Sequence, residues 1–304
     1  MIQFRTLPDN VKGALILMIA AFGFALMAAL IKLAGSRLPV TQILFVRQIG
    51  MVIMLLPVLV THFPDVVRTQ RFDLQLTRVL FALIAMLCGF TAIIHMPLAE
   101  ATALGFAKSF FVTIFAVIVL KETVGVYRWS AVAIGFIGVL IMLRPGTDSF
   151  SIYGLMAVIG AASAGFVMVI IRLLSRSDSP NTILMFQAVG VAIVMIVPAI
   201  LNWVPPTPRE WAILAAIGFV SFFAQKANIY AFKFGEASML ASLDYVRLIY
   251  ATLFGWLLFS QLPGVATWVG AGIIVLASIY TVRRESRRKK LLASDPVARG
   301  MQGS

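Results

Sequence analysis

Charge is scarce in this chain. Only 12% of its 304 residues are Asp, Glu, Lys or Arg, about half the share found in soluble domains. A single cysteine, Cys88, excludes an intrachain disulfide. There are two histidines, His62 and His95, and no CxxC or HExxH spacing, so no metal-ligand set is legible. The GxxxxGK(S/T) nucleotide loop is missing too. What fills the space is apolar: 61% of the residues are hydrophobic, against about 45–50% in soluble proteins. A water-soluble globule of this size cannot hide that much apolar surface. The net charge of +13 would suggest nucleic acid if the bases shared one face. They sit instead at segment ends and in one tail, as in membrane proteins, so no nucleic-acid partner is expected.

A membrane helix needs about 20 mostly apolar residues. Ten such segments are readable: 11–34, 40–62, 74–95, 98–120, 124–143, 151–173, 181–201, 209–232, 236–259 and 264–283. The breaks between them are short and turn-like, for example Leu38-Pro39, Met96-Pro97 and Ser179-Pro180. Short links make successive helices antiparallel neighbours in one bundle. The expected class is therefore an all-α integral membrane protein with ten transmembrane helices. The first segment is longer than the apolar core of a cleaved leader, so it is read as a span. Lys and Arg set the orientation. With the tail inside, Arg5, Lys12, Arg68, Arg71, Lys121, Arg128, Arg172, Arg176 and Lys233 are inner, and Arg37, Arg144 and Arg209 are outer. Both termini are thus expected in the cytoplasm. Residues 284–304 form a basic tail expected to be disordered.

The chain also repeats itself. At an offset of 141, residues 13–57 match 154–198 at eleven of 45 positions, among them Gly13/Gly154, Met27/Met168, Pro39/Pro180 and Pro57/Pro198. Leu98 to Leu104 matches Phe234 to Leu240, and Gly125-Val-Tyr-Arg-Trp129 matches Gly264-Val-Ala-Thr-Trp268. Two units follow, 11–143 and 151–283, each with five helices. Five is odd, so the second unit enters the membrane inverted. Many transporters use that symmetry to exchange inward-open and outward-open states.

A charge at the centre of a membrane helix costs about 2.5–3.5 kcal/mol on insertion scales. Such a residue should face a cavity or a partner. Arg47, Lys108, Lys226, Asp244 and Arg247 are the candidates. At 100° per residue, Glu236, Asp244, Arg247 and Tyr250 share one helix face, as do Glu100, Lys108 and Phe111. Through the repeat, Lys108 matches Asp244. Asp244 is expected to pair with Arg247, Lys108 or both; a structural ion pair that simply locks two helices is the alternative. Gln48, with Thr41 and Phe45, and Gln225 and Asn228, with Ser221, form weaker polar stripes. Glu100 and Glu236 fit a helix-dipole role in first turns, while Arg78 and Lys32 fit the membrane interface. Lys108, Asp244, Arg247, Arg47, Gln48, Gln225, Asn228, Tyr250 and Phe111 are the expected substrate-binding set. Four deep bases against one acid favour anionic or electron-rich groups. With a base beside it, Asp244 stays ionised, which favours facilitated transport or exchange over a proton relay. No cofactor is expected.

Pro97-Leu-Ala-Glu-Ala-Thr-Ala-Leu104, then Phe106, Phe111-Val-Thr-Ile, Leu120-Lys-Glu122, Trp129, Gly135 and Gly138 resemble the signature of EamA-type permeases in the drug/metabolite transporter superfamily. Residues 11–283 share the resemblance, and Glu236 to Trp268 repeats it. Two departures stand out: the family often has Pro near Ser109 and Glu at the position of Gln261. The resemblance implies a cavity lined by helices 1–4 and 6–9, helices 5 and 10 lying outside it. It implies a multi-pass protein of the bacterial inner membrane, monomer or homodimer, moving a small polar or zwitterionic metabolite such as a vitamin, amino acid or nucleoside-like compound. Export of amphipathic drugs or cations is the nearest alternative. A lipid-modifying enzyme would need paired acids or a nucleophile at membrane depth, and a purely structural protein leaves the inverted repeat unexplained.

Overall fold

The computed structural model describes residues 8–61, 63, 67–147, 150–234, 240 and 243–294; the side chains of residues 10, 58 and 282–294 are outside it. The described residues form eleven helices: α1 (Asp9–Ala34), α2 (Val40–Thr61), α3 (Phe72–His95), α4 (Leu98–Gly105), α5 (Lys108–Leu120), α6 (Val126–Leu143), α7 (Ile152–Leu174), α8 (Pro180–Leu201), α9 (Pro208–Phe234), α10 (Val246–Phe259) and α11 (Val265–Ser294). Among them, eight apolar stretches are long enough to cross a bilayer, with α4 and α5 together forming Leu98–Leu120. Val246–Phe259 and Val265–Thr281 are two shorter apolar helices. Large apolar side chains stand exposed on the outer faces, for example Ile19, Leu80, Ile137 and Leu257. Water would not tolerate such a girdle, but lipid does. The chain is a multi-pass integral membrane protein.

Local chemistry sets the helix ends. Ser179 accepts the Thr182 N–H at 3.1 Å, and Pro180 opens α8. At α9, Thr207 and Glu210 cap each other reciprocally: the Thr207 N–H reaches the Glu210 carboxylate at 2.7 Å, and the Glu210 N–H reaches the Thr207 hydroxyl at 3.3 Å. Helices α5 and α10 end alike, with Lys121 and Ser260 at φ 53° and 52°. The Glu122 N–H bonds the Ala116 carbonyl, and the Gln261 N–H bonds the Gly255 carbonyl.

The packing interleaves the N-terminal and C-terminal helices. Helix α1 lies against α9 and α10, α2 against α8 and α9, α3 against α7 and α8, α5 against α7, and α6 against α11. One apolar core joins α4, α5, α6, α7 and α11, and another joins α1, α2, α3, α8 and α9. The α6–α11 crossing is backbone on backbone. A Cβ on Gly138 would stand 2.8 Å from the Gly270 carbonyl oxygen, and one on Gly270 would stand 2.6 Å from that of Gly138. Small residues at such crossings are what membrane helices use to approach closely.

Two expectations change here. The fourth span is not one continuous helix: it breaks at Phe106-Ala107 into α4 and α5. The last helix runs on to Ser294, so residues 284–294 of the basic tail are helical rather than irregular. Their Lys, Arg, Leu and Ala content is rich in good helix formers. Residues 295–304 lie outside the described set.

Candidate functional site

A cavity of about 200 Å³ lies between α1, α3, α4 and α7. Its walls are mostly Ala and Gly, including Ala85, Gly89 and Ala92 of α3 and Ala157, Gly160, Ala161 and Ala164 of α7. Such walls bring the backbones near the cavity and leave little side-chain chemistry. Among the described residues, Arg247 is the one charged group on them.

A broken helix and the turn that opens α10 carry Arg247 there. The turn Asp244-Tyr245 precedes α10, with the Arg247 N–H on the Asp244 carbonyl at 3.0 Å. The turn Phe106-Ala107 separates α4 from α5, with the Ser109 N–H on the Phe106 carbonyl at 3.1 Å. The two breaks meet. The Phe106 and Tyr245 rings are 4.6 Å apart, and the Arg247 guanidinium lies 5.0 Å from the Phe106 ring and 5.5 Å from the Phe24 ring. Both are cation–π distances. Among the described residues, the Arg247 Nε–H is buried and has no hydrogen-bond partner.

Lys108 opens α5 within electrostatic reach of both Arg247 and Asp244. Asp244 is half-buried in its turn. Among the described residues, no nitrogen–oxygen contact of 4 Å or less joins Asp244 to Arg247 or Lys108. The expected ion pair is therefore open: Asp244 sits in the turn, and the Arg247 guanidinium contacts the Phe24 and Phe106 rings. The breaks also shift the expected match of Lys108 with Asp244. The turns at Phe106-Ala107 and Asp244-Tyr245, and the left-handed caps at Lys121 and Ser260, set Lys108 against Val246-Arg247.

The structure thus brings Lys108, Asp244 and Arg247 together and sends other expected residues elsewhere. Arg47 is buried between α2, α3 and α9. It donates to the Ser221 hydroxyl at 3.0 Å and to the Gln48 side-chain oxygen at 2.7 Å, and faces the Phe90 ring at 5.7 Å. Gln48 continues to the Gln187 carbonyl at 3.5 Å. Gln225 and Asn228 are partly buried on α9, while Lys226 is exposed and folds over the Phe222 ring. Tyr250 meets Phe22 edge-on, and Phe111 packs on Phe136 inside the α5–α6–α7 core. Glu100 lies in the first turn of α4, within electrostatic reach of Arg144. Glu236 lies outside the described residues.

Two charges expected at the interface are buried. Lys32 donates to the carbonyls of Ile93, Ile94 and Met96, closing the end of α3. Arg78 is 2% exposed and donates to the Ile183 carbonyl and the Gln187 side chain, tying α3 to α8. In both cases backbone carbonyls of a neighbouring helix supply the partners, which sequence spacing does not show. The residues missed by sequence reasoning are Phe24, Phe106 and the small-residue walls. Their signal was present, since Ala85, Gly89 and Ala92 recur at i, i+4 and i+7.

The profile of the EamA-like transporter family matches residues 11–144 and again 151–283. The chain is 32% identical over 276 residues to the pseudopaline exporter CntI of Pseudomonas aeruginosa, covering 90% of this chain and 96% of that one. It is 30% identical over 284 residues to a riboflavin transporter of Vibrio cholerae, covering 92% and 95%. A solved crystal structure shares the fold with a TM-score of 0.61 at 18% identity, over 90% of this chain and 99% of that one. By sequence, packing and these relationships, the chain belongs to the EamA-like transporter family.

Proposed function

We propose that this protein is a secondary transporter that moves a small polar or zwitterionic metabolite by alternating access, either facilitated or by exchange. The observation that carries this reading is the cavity beside the break in the fourth span, with Arg247 on its wall. Broken helices at a midplane site are a recurrent transporter device. Residues 11–143 and 151–283 act as inverted halves. The double family match and the reciprocal packing, α1 on α9 and α3 on α7, support this. Lys108, Asp244 and Arg247 form the binding region, and Arg47 and Gln48 serve a neighbouring polar network. Both termini face the cytoplasm of a bacterial inner membrane, as the Lys and Arg distribution favours. The protein acts on no nucleic acid, catalyses no reaction, and works as a monomer or homodimer. The names of its relatives include exporters and a vitamin carrier, so cargo and direction rest on the site.

The test is uptake by protein reconstituted into liposomes, against a panel of amino acids, vitamins and nucleosides. Arg247→Ala should lower transport of the accepted compound at least about tenfold, the scale of one lost charge-assisted contact. Unchanged transport by a folded Arg247→Ala protein would remove the site assignment.

A further inference from the structure

Arg247 is held in an unusual way. Phe24 and Phe106 flank its guanidinium at 5.5 and 5.0 Å. Ring contacts of this kind leave N–H donors of a guanidinium for other partners. Arg247 also lines the cavity. Among the described residues no carboxylate lies within 4 Å of it, and its Nε–H is unmatched. Among the described residues, this half-buried guanidinium is thus held by rings and has a buried donor without an acceptor.

We propose that Arg247 receives a carboxylate of the transported molecule in a bidentate, coplanar contact, so that the cargo is a small organic acid or amino acid. This rests on the transporter reading above. Three observations select a carboxylate. The donor fork of an arginine is planar and matches the two oxygens of a planar acceptor. Among the described residues, Arg247 and Lys108 against Asp244 give a local charge of +1. One carboxylate neutralises that charge, whereas a doubly charged phosphate ester would overshoot it. The cavity, at about 200 Å³, is below the roughly 300–1,000 Å³ usual for drug-sized ligands. Its Ala and Gly walls offer a carbonyl or amide cargo little to bond, so the charge contact dominates recognition.

The experiment compares acids with their primary amides: nicotinate with nicotinamide, L-proline with L-prolinamide, and L-phenylalanine with L-phenylalaninamide, plus riboflavin as a ring compound without a carboxylate. The purified full-length protein is melted in detergent with each compound, and binding is titrated for every compound that raises the midpoint. At least one acid should raise it, with its amide binding at least about tenfold more weakly. Arg247→Gln should remove the preference for the acid, and Arg247→Lys should keep part of it. Phe106→Leu retains the charge but loosens its cage, and should shrink the acid–amide ratio even if Arg247→Gln fails to fold. Equal binding of acid and amide, no binding by any acid, or a preference that survives Arg247→Gln would each overturn the proposal. Riboflavin binding that is lost in Arg247→Gln, with all acids inert, would keep the transporter site and remove only the carboxylate. Uptake of a panel compound that ignores changes at both Arg247 and Phe106 would remove the site itself.

Discussion

Lys32 shows how a single cation is accommodated deep in a helix bundle. Its amine is buried and surrounded by three main-chain carbonyls at the end of α3. Those carbonyls would otherwise be the unmatched acceptors of a helix terminus. Lys32→Met keeps the bulk and leaves them bare, so it should destabilise the protein by roughly 1–3 kcal/mol, read as a lower melting midpoint in detergent. Asp178 makes a different bargain with burial. Burial pushes its carboxyl up, but hydrogen bonds from Thr69, Gln75 and the Gln70 N–H outweigh that and hold it below the ordinary carboxylate range. A carboxyl lowered by folding stabilises above its unfolded value of about 3.9 and loses that contribution as pH falls through the folded value. Asp178→Asn should therefore lower the melting midpoint at pH 7 and shrink the wild-type loss below about pH 4. Equal acid sensitivity in both proteins would contradict this. Sequence reasoning singled out Arg247 and Lys108 as candidates because charges in apolar runs are conspicuous. It misplaced Lys32 and Arg78 because their partners are carbonyls, which have no sequence signature.

Among the elements, the α6–α11 crossing has the least room for change. Gly138 and Gly270 face each other across it, and neither accepts a Cβ without moving backbone. Gly138→Val should separate the two helices and cost about 1–3 kcal/mol through overpacking. The loss should show as a lower midpoint or increased aggregation of the purified protein. A neutral outcome would mean that the helices slide apart freely. The element ends were largely legible, since Ser179-Pro180 and Thr207 with Glu210 are local signals. The breaks at Phe106-Ala107 and Asp244-Tyr245 were not, because no proline or charge run marks them. They arise where two helices cross, and local propensity does not encode a crossing.

At the scale of the whole molecule, the all-helical membrane class followed from composition and apolar run length, which act independently of tertiary detail. The position of the cavity did not, because it depends on which small-residue stripes face one another. Facilitated transport or exchange moves no coupled proton, so its rate should change little between about pH 6 and pH 8. A collapse near pH 7 that Asp244→Asn abolishes would place a proton in the cycle.

The two ends of the bundle are fastened by different bonds. At one end Arg37, in the turn between α1 and α2, grips both oxygens of Glu210 and the Pro205 carbonyl. At the other, Asp178, in the turn between α7 and α8, is held by a hydroxyl, an amide and a peptide N–H. Arg37 and Asp178 are 141 residues apart, the offset at which the sequence matches itself, so corresponding turns carry opposite charges. An exposed ion pair weakens in salt, whereas a neutral-donor clasp does not. Added salt should therefore loosen the Arg37 end alone, and strong acid the Asp178 end. The molecule thus carries separate chemical handles at its two ends, each adjustable without changing a residue of the cavity wall.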